Sequence, residues 1–296
     1  MRTFDFFADI NDFKEVVPGI ESSTTIKSMM ASHERSRQKL IHVLTAAIYT
    51  QLKDAFGAAA PDEKLATAVE FIQGAHGNLI AYFDLIPKII AQKAENKNYY
   101  KYEIQMMQET YLDNYVVNMD LLLDHLDANT TFFTTWAATD TYKNRQKLML
   151  KTANDFNSVF PTGGSAYFFS LITPLQNQVI ETELAPRKAV TDIPEALVKT
   201  AKYFVAYRTI AKAVRITDYA DLPRSLRQKL YVEESKKKML DSETSVEKFA
   251  KYCDTEANRY LNQIDLELQK PADDVSEISV PPDDFNLETD STYVIV

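Results

Sequence analysis

The chain has 296 residues, 45% hydrophobic and 25% charged, with a formal charge of −9, which is ample material for one large or two medium folded domains. Its single cysteine, Cys253, excludes an internal disulfide and a cysteine-based zinc cluster. No stretch approaches the roughly 18 apolar residues of a membrane helix, and the opening MRTFDFFADINDF lacks the basic start and apolar run of a secretory leader. The reading that follows is a cytoplasmic, reducing setting with no membrane.

Charge is unevenly distributed. Residues 271–296 contain Asp273, Asp274, Glu277, Asp283, Asp284, Glu288 and Asp290 with no Lys or Arg, so this arm carries −7 of the −9 and the remaining 270 residues only −2. Neither part offers the one-sided basic footprint that holds phosphates, which argues against a protein that grips nucleic acid.

In chain order, helices dominate. Over residues 32–56, Leu40, Leu44, Ala47, Ile48 and Leu52 recur at helical spacing, and Gly57 follows as a stop. From Pro61, PDEKLATAVEFIQ places proline and acids in a first turn, with Leu65, Val69 and Ile72 on one stripe, and Pro87 is expected to kink or end this second helix. A third helix over residues 99–127 carries Ile104, Met107, Tyr111, Tyr115, Met119, Leu122 and Leu126 on one face. An aromatic-rich segment follows, with one short helix over residues 142–156 and a turn at Pro161, Gly163 and Gly164. Helices resume near Ser170, over residues 194–216 and over residues 245–269.

These helices resemble one another. A shift of 145 lays Thr110, Tyr115, Asp120, Leu121 and Leu123 on Thr255, Tyr260, Asp265, Leu266 and Leu268. A shift of 133 lays Pro61, Thr67, Ala68, Phe71 and Ile72 on Pro194, Thr200, Ala201, Phe204 and Val205. Because polar residues match as well as the stripe, the fold class expected is all-α, with two similar three-helix units. The expected division is residues 1–130, an aromatic junction 131–169, a second unit 170–270 and an extended acidic arm 271–296.

Motifs for chemistry are sparse. His33, His42, His76 and His125 form no pair spaced for zinc hydrolysis. Asp120, Asp124 and Asp127 beside His125 could hold a cation, but calcium and magnesium sites draw oxygens from loops or several elements, so a solvated acidic face is the expectation. PTGGSAYF lacks the lysine of a phosphate loop, and Cys253, with no histidine in the last 171 residues, reads as a packed side chain. Trp136 with Phe132, Phe133, Tyr142, Phe156, Phe160, Tyr167, Phe168 and Phe169 reads as cement between units. The expectation is a non-enzyme without cofactor or metal.

The central block, with Trp136, Tyr142, Arg145, Leu148, Thr152, Ala153 and Phe156 followed by the aromatic-glycine turn, Ser170 and Pro174, resembles an uncharacterised family of all-helical proteins of tailed phages and prophages. The opening DINDFKEVVPGI is similar to that family's N-terminal segment, so the resemblance spans residues 1 to about 210. The acidic arm has no counterpart in it. The resemblance implies a structural virion protein at the head-tail junction, made in the bacterial cytoplasm. Its partners would be copies of itself in a homo-oligomeric ring of roughly twelve-fold symmetry, the portal protein, and other tail or ring proteins. DNA would pass through without specific binding. The alternative is a soluble cytoplasmic adaptor whose acidic arm docks on a basic client.

On either reading the arm is the expected partner-binding element. It is too acidic and proline-broken to fold alone, while Tyr293, Val294, Ile295 and Val296 have strand propensity and could fill a groove on a neighbour. Asp283 and Asp284 flank Phe285 in the same element, and Lys236, Lys237 and Lys238 offer a basic face for the acids.

Overall fold

The computed structural model describes residues 4–20, 24–93, 100–235 and 244–269. Among them there are twelve α-helices and no strand, so the chain is all-α. In order these are α1 (Ile10–Val16), α2 (Met30–Leu44), α3 (Ala46–Phe56), α4 (Glu63–Lys93), α5 (Lys101–Ala128), α6 (Thr134–Ala137), α7 (Asp140–Arg145), α8 (Ala153–Asn157), α9 (Ala166–Val179), α10 (Glu195–Ile216), α11 (Arg224–Ser235) and α12 (Ser245–Leu268).

Two expectations are corrected and a third is narrowed. The single helix over residues 32–56 is two, because Thr45 adopts φ 76° and turns the chain between Leu44 and Ala46. Leu40, Leu44, Ile48 and Leu52 are nonetheless all fully buried, and Ala47 faces out. Of the two outcomes expected at Pro87, a kink or an end, the end does not occur, since α4 continues to Lys93. The proline is exposed, so water can satisfy the carbonyl that lacks its donor. The helix over residues 142–156 is split into α7 and α8, each with its own threonine cap: Thr139 accepts from the Tyr142 N–H and Thr152 from the Asp155 N–H.

Two hydrophobic cores result. The first is built from Phe4, Phe6, Phe7 and Phe13 packed on α2 to α5 and closed by Phe133 and Trp136. Gly77 of α4 lets this N-terminal segment approach, since a Cβ there would lie 2.5 Å from Val17 and 3.1 Å from Phe7. The second core gathers Leu148, Phe156 and Phe160 with one face each of α9 to α12. The long α9 begins at Ala166, earlier than Ser170, and belongs to both: Ala166 and Tyr167 lie in the first core, Phe168, Phe169 and Ile172 in the second.

Helices α4 and α5 pack together, as do α10 and α12. Some residues related by the sequence shifts share their burial, Ala68 with Ala201, Ile72 with Val205, and Met119 with Ile264, while Phe204 and Leu123 are buried and their counterparts Phe71 and Leu268 only half-buried. The Thr110 and Thr255 hydroxyls each donate to the carbonyl four residues back. The surroundings differ: Tyr115 is fully buried while Tyr260 is only half-buried, against Tyr203.

Candidate functional site

The acidic face of α5 is where the cores are joined. Asp127 accepts hydrogen bonds from Trp136 Nε1 at 2.7 Å, Arg145 Nη1 at 2.9 Å and Arg145 Nη2 at 2.7 Å. Arg145 is only 4% exposed, its guanidinium carbon lies 5.5 Å from the Trp136 ring centre and 5.4 Å from that of Tyr142, and its Nε–H has no hydrogen-bond partner. Two turns earlier, Asp120 accepts from the Ser165 hydroxyl and the Tyr167 N–H, each at 2.8 Å, so its charge sits at the N-terminus of α9. Burial pushes the Asp120 carboxyl up to about 6, against the lowering effect of these hydrogen bonds.

The expected solvated face is therefore corrected: two of its three carboxylates hold other elements in place. His125 does not join them, because its Nε2 lies 2.9 Å from the Lys64 carbonyl, with the ring between Phe71 and Phe133. Beside this joint lies a cleft of about 360 Å³, with Asp124, Asp127, Tyr142, Arg145, Lys151 and Phe169 among its lining. Burial and the like charge of Asp127 raise the Asp124 carboxyl, while Arg145 lowers it. Among the described residues no three metal-capable side chains converge.

A second polar clasp joins α11 to α5. Arg227, 1% exposed, pairs with Asp113 and lies 3.3 Å from Glu109, while the Tyr167 hydroxyl donates to Asp221 at 2.6 Å. Lys39 of α2 reaches the same Asp221 at 2.5 Å. Sequence reasoning missed Arg227 and Asp221, because their partners stand 54 to 182 positions away and no local pattern announces them.

His76 and Cys253 serve packing. His76 is wholly buried, which pushes its imidazole down to about 3, and it lies against the His33 ring with centres 5.0 Å apart. Cys253 is buried, its thiol raised to about 12, which suits the packed side chain expected and not a nucleophile.

Among the described residues, several exposed large apolar side chains lie near the C-terminus of α4 and the N-terminus of α5. Ile90, Tyr100 and Met106 are 65%, 69% and 65% exposed, and Ile86 and Tyr102 also face out. Of the stripe expected along α5, full burial begins only after its first three turns; Ile104 and Met107 are half-covered. The residues expected to bind partners, Lys236, Lys237, Lys238, Asp283, Asp284, Phe285, Tyr293, Val294, Ile295 and Val296, lie outside the described residues. No described helix is long and apolar enough to cross a membrane. Comparison with protein-family models, with curated proteins and with solved structures finds no match to this chain.

Proposed function

We propose that this chain is a structural subunit of a tailed-phage head-tail connector and works by assembling with copies of itself and with portal or tail proteins. The observation that carries the reading is the number of large apolar side chains left exposed, Ile90, Tyr100 and Met106 near the end of the α4–α5 pair and Val117, Ile216 and Leu266 elsewhere, since apolar surface left uncovered on a helical body suits contact with other chains. The resemblance supports it further. Of its residues, Trp136 and Arg145 bind Asp127 on α5, Leu148 and Phe156 pack in the second core and Thr152 caps α8, so they bear on the build of the body. The near-neutral body suits a DNA conduit, because each added Lys or Arg against a phosphate would strengthen binding through counterion release.

The test is native mass spectrometry and electron microscopy of the full chain, alone and mixed with portal and tail-ring proteins. Closed oligomers or complexes with those proteins are expected. A monomer at every concentration that binds none of them would overturn the reading, and a monomer that captures only a basic client would support the adaptor instead.

A further inference from the structure

We infer that residues 4–17 form a strap over the His33–His76 pair that acid loosens, a property of the single chain however it assembles. Phe4, Phe6, Phe7, Phe13 and Val17 of this segment are buried in the first core. Phe4 stacks on the His33 ring with centres 5.0 Å apart, and the Phe6 and Phe7 rings lie 5.7 Å and 6.3 Å from that of His76. Among the described residues, no backbone-to-backbone hydrogen bond joins the strap to the helices beneath it. Side chains fasten it instead: the Gln73 amide donates to the Phe6 carbonyl at 2.8 Å, and the Asp5 carboxylate accepts from the Tyr49 hydroxyl at 2.9 Å and from the Lys53 ammonium at 2.8 Å. The strap can therefore lift while α2, α3 and α4 keep their own backbone bonds.

The closed strap accepts only neutral rings. The Asp5 N–H donates to His33 Nε2 at 3.2 Å, a bond that exists only while this nitrogen carries no proton. His33 Nδ1 and both ring nitrogens of His76 are buried without a hydrogen-bond partner. A protonated imidazole presents two N–H donors and a charge, and burying these without acceptors is costly.

The surrounding charges do not reverse this. His33 faces Asp5 of the strap, whose Oδ2 lies 4.0 Å from Nε2, Glu34 and Arg37 of α2, and Lys53 of α3; burial outweighs the two acids and lowers its imidazole. At His76, burial and then the charge of His33 push the ring down to about 3, with Arg37 acting in the same sense and Asp5 and the His33 backbone opposing. Tyr49 stays neutral, its phenol raised by burial and by Asp5. Burial raises the Asp5 carboxyl, but its bonds to Lys53 and Tyr49 bring it below its ordinary value, so it remains charged in mild acid. With the strap lifted, both rings meet water and return to about 6.5. Protons therefore favour the open form as pH falls below that value, and the closed form is fully favoured above it. Between pH 7.5 and pH 5, His76 alone should raise the opening constant about thirtyfold, and His33 adds to this.

The test is hydrogen exchange of the full chain, read by mass spectrometry from pH 7.5 to pH 5 and corrected for the intrinsic pH dependence of exchange. Peptides covering residues 4–17 should open about thirtyfold or more readily at the lower pH, relative to peptides from α10. His76→Leu, of similar volume and with no charge to bury, should remove about thirtyfold of that rise, and adding His33→Gln, which keeps an acceptor for the Asp5 N–H, should leave the strap no more sensitive to pH than α10. Strap peptides that open only together with α10 at every pH would overturn the inference, as would a pH response unchanged by His76→Leu. A second measurement needs no substitution: in the wild-type chain the His33 and His76 ring-proton resonances should keep their neutral positions down to the pH at which the strap loses protection. Either ring titrating near its ordinary value under a protected strap would also overturn it.

Discussion

Replacing Asp127 with alanine removes one carboxylate and three hydrogen bonds, and leaves the Arg145 guanidinium without its hydrogen-bonded partner, with only the more distant Asp124 charge nearby. The Arg145 side chain is 5% exposed and that of Asp127 is 31% exposed. Stripping one partner from a buried ion pair costs about 3–5 kcal/mol. Water entering on the Asp127 side reduces this to about 2–3 kcal/mol, part of it from the Trp136 N–H left without an acceptor. Pairing the change with Arg145→Met removes the stranded charge, so the double variant should be no less stable than Asp127→Ala, and the coupling should exceed about 1 kcal/mol. The chain has one tryptophan, and it is the residue hydrogen-bonded to Asp127, so urea unfolding followed by its fluorescence reads the joint directly. An Asp127→Ala protein within about 0.5 kcal/mol of wild type, or a double variant showing the plain sum of the two single losses, would refute the claim that this pair fastens Trp136 and α7 to α5.

Two further outcomes follow from the described geometry. Burial raises the folded Asp120 carboxyl from 3.8 to about 6, so the native state binds the extra proton between these values, and its contribution to stability falls as pH rises through that window. Asp120→Asn should lack this slope: the urea midpoint of wild type minus that of the variant should decline from pH 4 to pH 6.5, and a flat difference would contradict the assignment. Thr45, at φ 76° and ψ 156°, occupies backbone space open in practice only to glycine, at about 1–3 kcal/mol of strain. After the entropy lost by a flexible residue, Thr45→Gly should raise stability by about 1 kcal/mol in chemical denaturation, and a destabilised variant would show that the side chain offsets the strain.

Period and caps made most of the helical body legible. The stripes Leu40 to Leu52 and Tyr115 to Leu126 identify the faces that became core, because burial selects residues at helical spacing whatever the neighbours are. The elbow at Thr45 was hidden, since threonine carries no signal for a positive φ and packing imposed it. Whether Pro87 would end its helix was not legible, because proline's cost depends on whether water can reach the orphaned carbonyl, and exposure is a property of the fold. The acidic face was visible as a cluster but not as a joint: Ser165, Trp136 and Arg145 reach it from other elements, and a helical period says nothing about which charges will meet. For the arm, composition alone speaks.

Helix α9 hands Tyr167 to one core and Phe168 to the other. Adjacent residues on a helix point roughly 100° apart, so α9 works like a shared axle: any twist that improves its grip on one side spoils it on the other. A turn of α9 about its axis therefore moves side chains of both cores at once, so a substitution that repacks α9 on one side should also be felt on the other.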